Sequence, residues 1–134
     1  LSYRLQESGV DMIATDNRAW KNTREDFFQK DYTSIESIDA ADAIDKYHDQ
    51  IKVVIMSWPN YGDDIAYEVL KKCIKYGLVL IYIGEDQGGC TASDNFFDLL
   101  QVQDVCYDRY TLDDNYVCFP GIHDFIWIIN DKEE

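Results

Sequence analysis

The stretch Val53-Val54-Ile55-Met56-Ser57-Trp58-Pro59-Asn60-Tyr61 decides how this chain is read. Its β-branched, apolar first half predicts a strand buried on both faces at the centre of a sheet. Pro59 has no N–H to give a sheet and restricts the residue before it, so the chain must leave the sheet at Trp58. Ser57, Trp58, Pro59, Asn60 and Tyr61 therefore stand at the carboxyl end of a strand. In open α/β sheets that is where ligands bind.

Working outward, Asp63 or Asp64 is placed to cap a helix in which Ile65, Ala66, Val69, Leu70, Cys73 and Ile74 recur on one face, ending at Gly77. Leu78 to Ile83 predicts a second apolar strand, followed by the polar, glycine-bearing loop Gly84-Glu85-Asp86-Gln87-Gly88-Gly89-Cys90. Thr91 is expected to cap the next helix, with Asp94 in the capping-box position and Phe96, Phe97 and Leu100 on its apolar side. Val102 to Leu112 and Tyr116 to Ile129 then hold two strand-like segments with a turn at Asp113 to Asn115 and no helix between them.

Upstream, Leu1 to Ser8 fits the last turns of a helix closed by Gly9, and Val10 to Ala14 a short strand running into Thr15-Asp16-Asn17. The aromatic segment after it, with Trp20, Phe27, Phe28 and Tyr32, reads as a loop or short helix. Ser34 to Ile38 is a candidate strand, and Asp39 caps a helix with Ala41, Ile44 and Tyr47 on its buried stripe. Strands alternating with helices and ending in two strands predict an α/β fold: a mostly parallel sheet flanked by helices, with an antiparallel C-terminal strand pair. A length of 134 residues fits a single domain. Opening on a half-helix without Met leads us to expect sequence before Leu1.

Composition narrows the function classes. With 26 acidic against 12 basic residues, the net charge of −14 repels phosphate backbones and argues against direct nucleic-acid binding. The cation groups Arg18, Lys21 and Arg24, and Lys71, Lys72 and Lys75, read best as solvated faces. No apolar run approaches the ~18 residues of a membrane span. Cys73, Cys90, Cys106 and Cys118 form no C-x-x-C pair and have no His at metal spacing, which predicts reduced thiols and a cytoplasmic protein without a metal site.

The order of strand ends resembles the class I S-adenosylmethionine-dependent methyltransferases, a Rossmann-like family whose sheet ends in an antiparallel hairpin. Val10-Asp11-Met12-Ile13-Ala14-Thr15-Asp16 is similar to the family's second strand, whose terminal acid holds the cofactor ribose; Ile38-Asp39-Ala40 is similar to the strand end beside the adenine. Ser57-Trp58-Pro59-Asn60-Tyr61 resembles the Asn/Asp/Ser-Pro-Pro-aromatic motif of amino-methyltransferases, from which it differs at Trp58 and Asn60. The resemblance implies S-adenosylmethionine as cofactor, bound by Asp16, Asp39 and Ala40. It places the methyl acceptor at residues 57–61, with Ser57 and the Trp58 carbonyl as acceptors of its N–H groups and Tyr61 as a stacking ring.

The family's glycine-rich cofactor loop has no counterpart here, so this chain is expected to bind the cofactor poorly or not at all. Residues 84–89 come after a later strand, carry two acids and lack the Lys of a phosphate loop. The alternative reading is a non-catalytic acidic module, a protein-binding or inhibitor domain on the same scaffold. His123 beside Asp124 reads as a turn histidine rather than a catalytic base, and Cys90 as an inert thiol.

Overall fold

In the computed structural model, which describes residues 1–19, 31–102, 105–108, 116–117 and 119–131, the chain divides into two compact units, Leu1–Ala43 and Ile44–Glu134. The fold is mixed α/β, with a two-stranded sheet in the first unit and a four-stranded sheet in the second.

The first unit opens on α1 (Ser2–Glu7). Two backbone bonds close it, Val10 N–H to the Leu5 carbonyl and Gly9 N–H to the Gln6 carbonyl, with Gly9 at φ +87°. This is the Schellman arrangement, and it needs a residue that tolerates the left-handed region. The chain then reaches β1 (Ala14–Asp16), which pairs in parallel with β2 (Ile35–Ser37), Asp16 opposite Ser37. The strand expected at Val10 to Ala14 is thus shifted towards the carboxyl end. Gln6 explains part of the shift: its amide donates to the Met12 carbonyl and its Oε1 accepts from Thr33, so residues 10–13 span from helix to strand. Asp39 caps α2 (Ala40–Tyr47) as expected, its Oδ1 accepting from the Ala41 amide at 3.0 Å. Trp20, Lys21, Arg24, Phe27 and Phe28 lie outside the described residues, as does the turn expected at Asp113 to Asn115.

In the second unit, β3 (Val53–Ser57) leads to α3 (Ile65–Tyr76), β4 (Val79–Glu85), α4 (Asp94–Val102), β5 (Val105–Asp108) and β6 (Asp124–Asp131). The sheet order is β3-β4-β6-β5; β3 and β4 are parallel, and β6 runs antiparallel to both β4 and β5. The antiparallel C-terminal pair is therefore present. The sheet is mixed rather than mostly parallel, and the last strand sits inside it, between β4 and β5.

The central position expected for the Val53 strand is overturned. β3 lies at an edge of this sheet, Val53 is 45% exposed, and no residue of the strand is fully buried. A run of β-branched residues signals a strand but not its place in a sheet; the strand with a fully buried face is β4. On that face Leu80 stands opposite Ile129 and Tyr82 opposite Trp127, all buried. Helices α3 and α4 cover the face with Ala66, Val69, Leu70 and Cys73, and with Phe96, Phe97 and Leu100. Tyr82 is the hub: its ring centroid lies 4.7 Å from Phe96 and 6.3 Å from both Phe97 and Trp127. Such pairs each add about 0.5–1.5 kcal/mol beyond the area they bury.

Caps fix where the helices meet the loops at the strand ends. Gly77, at φ +63°, ends α3 with Leu78 N–H on the Cys73 carbonyl and Gly77 N–H on that of Ile74. At the other end of α3 the Asp63 Oδ1 accepts from the Ile65 amide at 2.9 Å, whereas the Asp64 carboxylate reaches across to Ser93 and Asn95. Thr91 does not cap α4; its hydroxyl is buried against Tyr82 and Glu85.

Candidate functional site

The strand directions bring three loops to one end of the second unit's sheet. β3 and β4 both finish there, at Ser57 and Glu85, and antiparallel β6 begins there, with Asp124 opposite Glu85. The loop after β3 is laced to the loop after β4 by Gly62 N–H to the Ala92 carbonyl, Ala92 N–H to the Pro59 carbonyl, and a bridge between Asn60 and Thr91.

Trp58 occupies an unusual state in this lattice of bonds. Its φ of +51° lies in the left-handed region, which costs a bulky L-residue about 1–2 kcal/mol. Two bonds hold it there. Its amide donates to the Ile83 carbonyl at 2.8 Å, and its indole Nε1 donates to Asp124 Oδ2 at 3.0 Å. The Tyr116 hydroxyl donates to the same Oδ2 at 2.6 Å, and Asp124 is only 6% exposed. A desolvated carboxylate holding two donors makes charge-assisted bonds stronger than neutral ones. With its polar edge anchored, the indole still stands 40% exposed. Ala92, in the facing loop, also has positive φ, at +60°. Backbone strain of this kind gathers at functional sites and persists only where the surroundings over-determine it.

Glu85 organises the second loop. Its Oε2 accepts from the Cys90 amide at 2.6 Å and its Oε1 from the His123 amide at 3.1 Å, tying the loop after β4 to the approach to β6. Those two amides, Cys90 first, hold its carboxyl below the usual value. Gly89 is required there, since a Cβ would stand 2.7 Å from the Glu85 Oε2. Gly84 is required for the same reason: a Cβ would meet the Tyr82 hydroxyl at 2.6 Å and Thr91 Oγ1 at 2.8 Å. The Ser93 hydroxyl and then the Asn95 amide lower the Asp64 carboxyl likewise. Thus the glycine-bearing loop is built around its own acid and serves as a scaffold for the site.

The candidates after β3 divide clearly. Pro59 is buried, while Ser57, Trp58, Asn60 and Tyr61 are exposed, Tyr61 at 73%. His123 is exposed, with its amide on Glu85, and Asp124 is turned to Trp58 and Tyr116. Asp124 and Glu85 are the residues that sequence reasoning missed. The signal for Asp124 was an acid opening an otherwise apolar strand, legible only once that strand is placed beside β4.

In the first unit, Asp16 and Asp39 belong to the same end of the parallel β1–β2 pair. Asp16 ends β1 and Asp39 comes just after β2, with Ile38 N–H donating to the Asp16 carbonyl. Asp16 Oδ1 accepts from the Arg18 amide at 2.5 Å, Arg18 being at φ +60° and its guanidinium paired with Asp31. Ala40 opens α2 under the Asp39 cap. Carboxylates at a parallel strand end have the acceptor chemistry for ribose hydroxyls and an adenine amino group. Among the described residues no glycine-rich strand-to-helix turn comes after β1 or β2 to receive a methionine moiety, and no cluster of His, Cys, Asp and Glu is suited to a metal ion. No helix of the described chain is long and apolar enough to cross a membrane.

No model of a known protein family matches this chain, and no curated protein or solved structure does so either.

Proposed function

We propose that this chain is a Rossmann-like, S-adenosylmethionine-dependent methyltransferase domain whose acceptor site is the loop after β3. The observation that carries the reading is Trp58: a strained, half-exposed aromatic at a strand's carboxyl end, fixed in place by a buried carboxylate. The parallel strand pairs and the antiparallel last strand support the same scaffold. In this reading Asp16 accepts the ribose hydroxyls of the cofactor, and Asp39 and Ala40 border the adenine. The bound cofactor supplies the electrophilic methyl group. Ser57 and the Trp58 carbonyl accept N–H bonds from the acceptor, while Trp58 and Tyr61 flank it with aromatic surface. The protein works in the cytoplasm on an acceptor yet to be named.

The test is calorimetric titration with S-adenosylhomocysteine, on the 134-residue chain and on a version extended upstream where the gene encodes one. Binding that is lost in Asp16→Ala supports the reading, and weak binding by the shorter chain alone fits its lack of a glycine-rich loop. Absence of binding in both forms overturns it. The second reading, a non-catalytic acidic binding module, is favoured by the charge of −14 and would survive that result.

A further inference from the structure

The acceptor loop lies on a face with a marked charge bias. All the described lysines of the second unit, Lys46, Lys52, Lys71, Lys72 and Lys75, lie elsewhere. Lys46 is in the last turn of α2, Lys52 precedes β3, and the other three fill the second half of α3, where Lys72 pairs with Asp45 and Lys75 reaches Tyr76. The strand ends and the loops after them instead carry Asp63, Asp64, Glu85, Asp86 and Asp124, and Asp94 opens α4, with His123 as the one titratable base in these loops among the described residues. Several of these acids have local duties: Asp63 accepts from the Ile65 amide at the start of α3, Asp64 binds Ser93 and Asn95, and Glu85 holds its loop. The donors in those bonds are neutral amides and a hydroxyl, which leave the carboxylates charged, and among these three acids a lysine acts only on Asp64, which feels Lys71 through space. The contact surface is the exposed aromatic pair, Trp58 and Tyr61; the surrounding charge decides the sign of the ligand that can settle on it.

We propose that this face docks a basic peptide segment of a partner protein, a lysine or arginine side chain lying on the Trp58 indole. The inference rests on the acceptor role proposed for residues 57–61, and names its substrate class. An indole face attracts a cation through its quadrupole, and the fixed edge bond to Asp124 leaves the ring oriented before the ligand arrives. A phosphate-bearing strand meets repulsion on the same face.

The experiment is fluorescence anisotropy of the full chain, without cofactor, against a labelled Lys/Arg-rich peptide, a Glu-rich peptide and a single-stranded oligonucleotide of matched length. The basic peptide should bind, and bind more weakly as salt rises. Trp58→Ala should weaken it about fivefold, the scale of one exposed cation–π contact, while Trp58→Phe retains most of the affinity. Tyr61→Ala, at a position too exposed to disturb folding, should weaken it about threefold. Circular dichroism checks that each variant is folded. Failure to bind the basic peptide, preference for the oligonucleotide, or unchanged affinity in both folded alanine variants overturns the proposal. S-adenosylhomocysteine binding without peptide binding defeats this inference alone; peptide binding without S-adenosylhomocysteine binding defeats the methyltransferase reading and leaves the docking face standing.

Discussion

Replacing Trp58 by glycine and, separately, by alanine isolates the backbone from the side chain, because both variants lose the same indole, the same bond to Asp124 and nearly the same buried area. The difference between them is the left-handed conformation at φ +51°. Alanine bears a Cβ penalty of about 1–2 kcal/mol there, and glycine bears none. Glycine loses more chain entropy on folding, which returns about 0.4–1 kcal/mol to alanine. The net is about 1 kcal/mol in favour of Trp58→Gly. At an ordinary right-handed or extended position the sign is reversed. For a chain of this length, about 1 kcal/mol corresponds to about 3 °C in melting temperature. Urea unfolding measured by circular dichroism gives the difference directly, and the paired design cancels errors common to both variants. If Trp58→Ala proves as stable as Trp58→Gly or more so, residue 58 is not held in the left-handed region, and the argument that this loop stores strain for a functional purpose falls with it.

Two other outcomes test the surrounding scaffold. Glu85 has a carboxyl held below its ordinary value of 4.5, so its bonds to the Cys90 and His123 amides stabilise the fold fully above the unfolded value and are lost as pH falls through the lowered one. The stability gap between wild type and Glu85→Gln should therefore be widest near neutral pH and shrink in acid; a gap independent of pH would contradict the assignment. Burial pushes the Cys73 thiol up to about 12, whereas Cys90 is exposed, so brief alkylation near neutral pH with site mapping by mass spectrometry should modify Cys90 and spare Cys73 until the protein is unfolded. Equal labelling of the two in the native protein would place Cys73 outside the core.

Much of the local architecture was legible from residues close together in the chain. The apolar period of residues 65–74, the left-handed stop at Gly77 and the Asp39 cap each depend on a few neighbours, and each forms as expected. The loop of residues 57–61 could be placed at a strand end for the same reason, since Pro59 forces the exit wherever the strand lies. Thr91 shows where such reading fails. A Thr three residues before an Asp fits a helix cap by local rules, yet here its hydroxyl is taken by Tyr82 and the Glu85 amide, partners that strand pairing and loop return bring to it.

The sequence by itself determined that the chain is α/β, which segments form most of its helices and strands, that its charge is strongly acidic, and which polar and aromatic residues leave the strand after Ser57. Only the tertiary structure decided that β3 is an edge strand, that β6 enters between β4 and β5, and that Asp124 meets Trp58 across 66 positions of sequence. The physical reason is one of range. Periodicity and capping report interactions within a few residues, whereas strand order is set by how whole faces bury together, and the backbone strain at Trp58 can persist only because that order delivers a buried carboxylate to its indole.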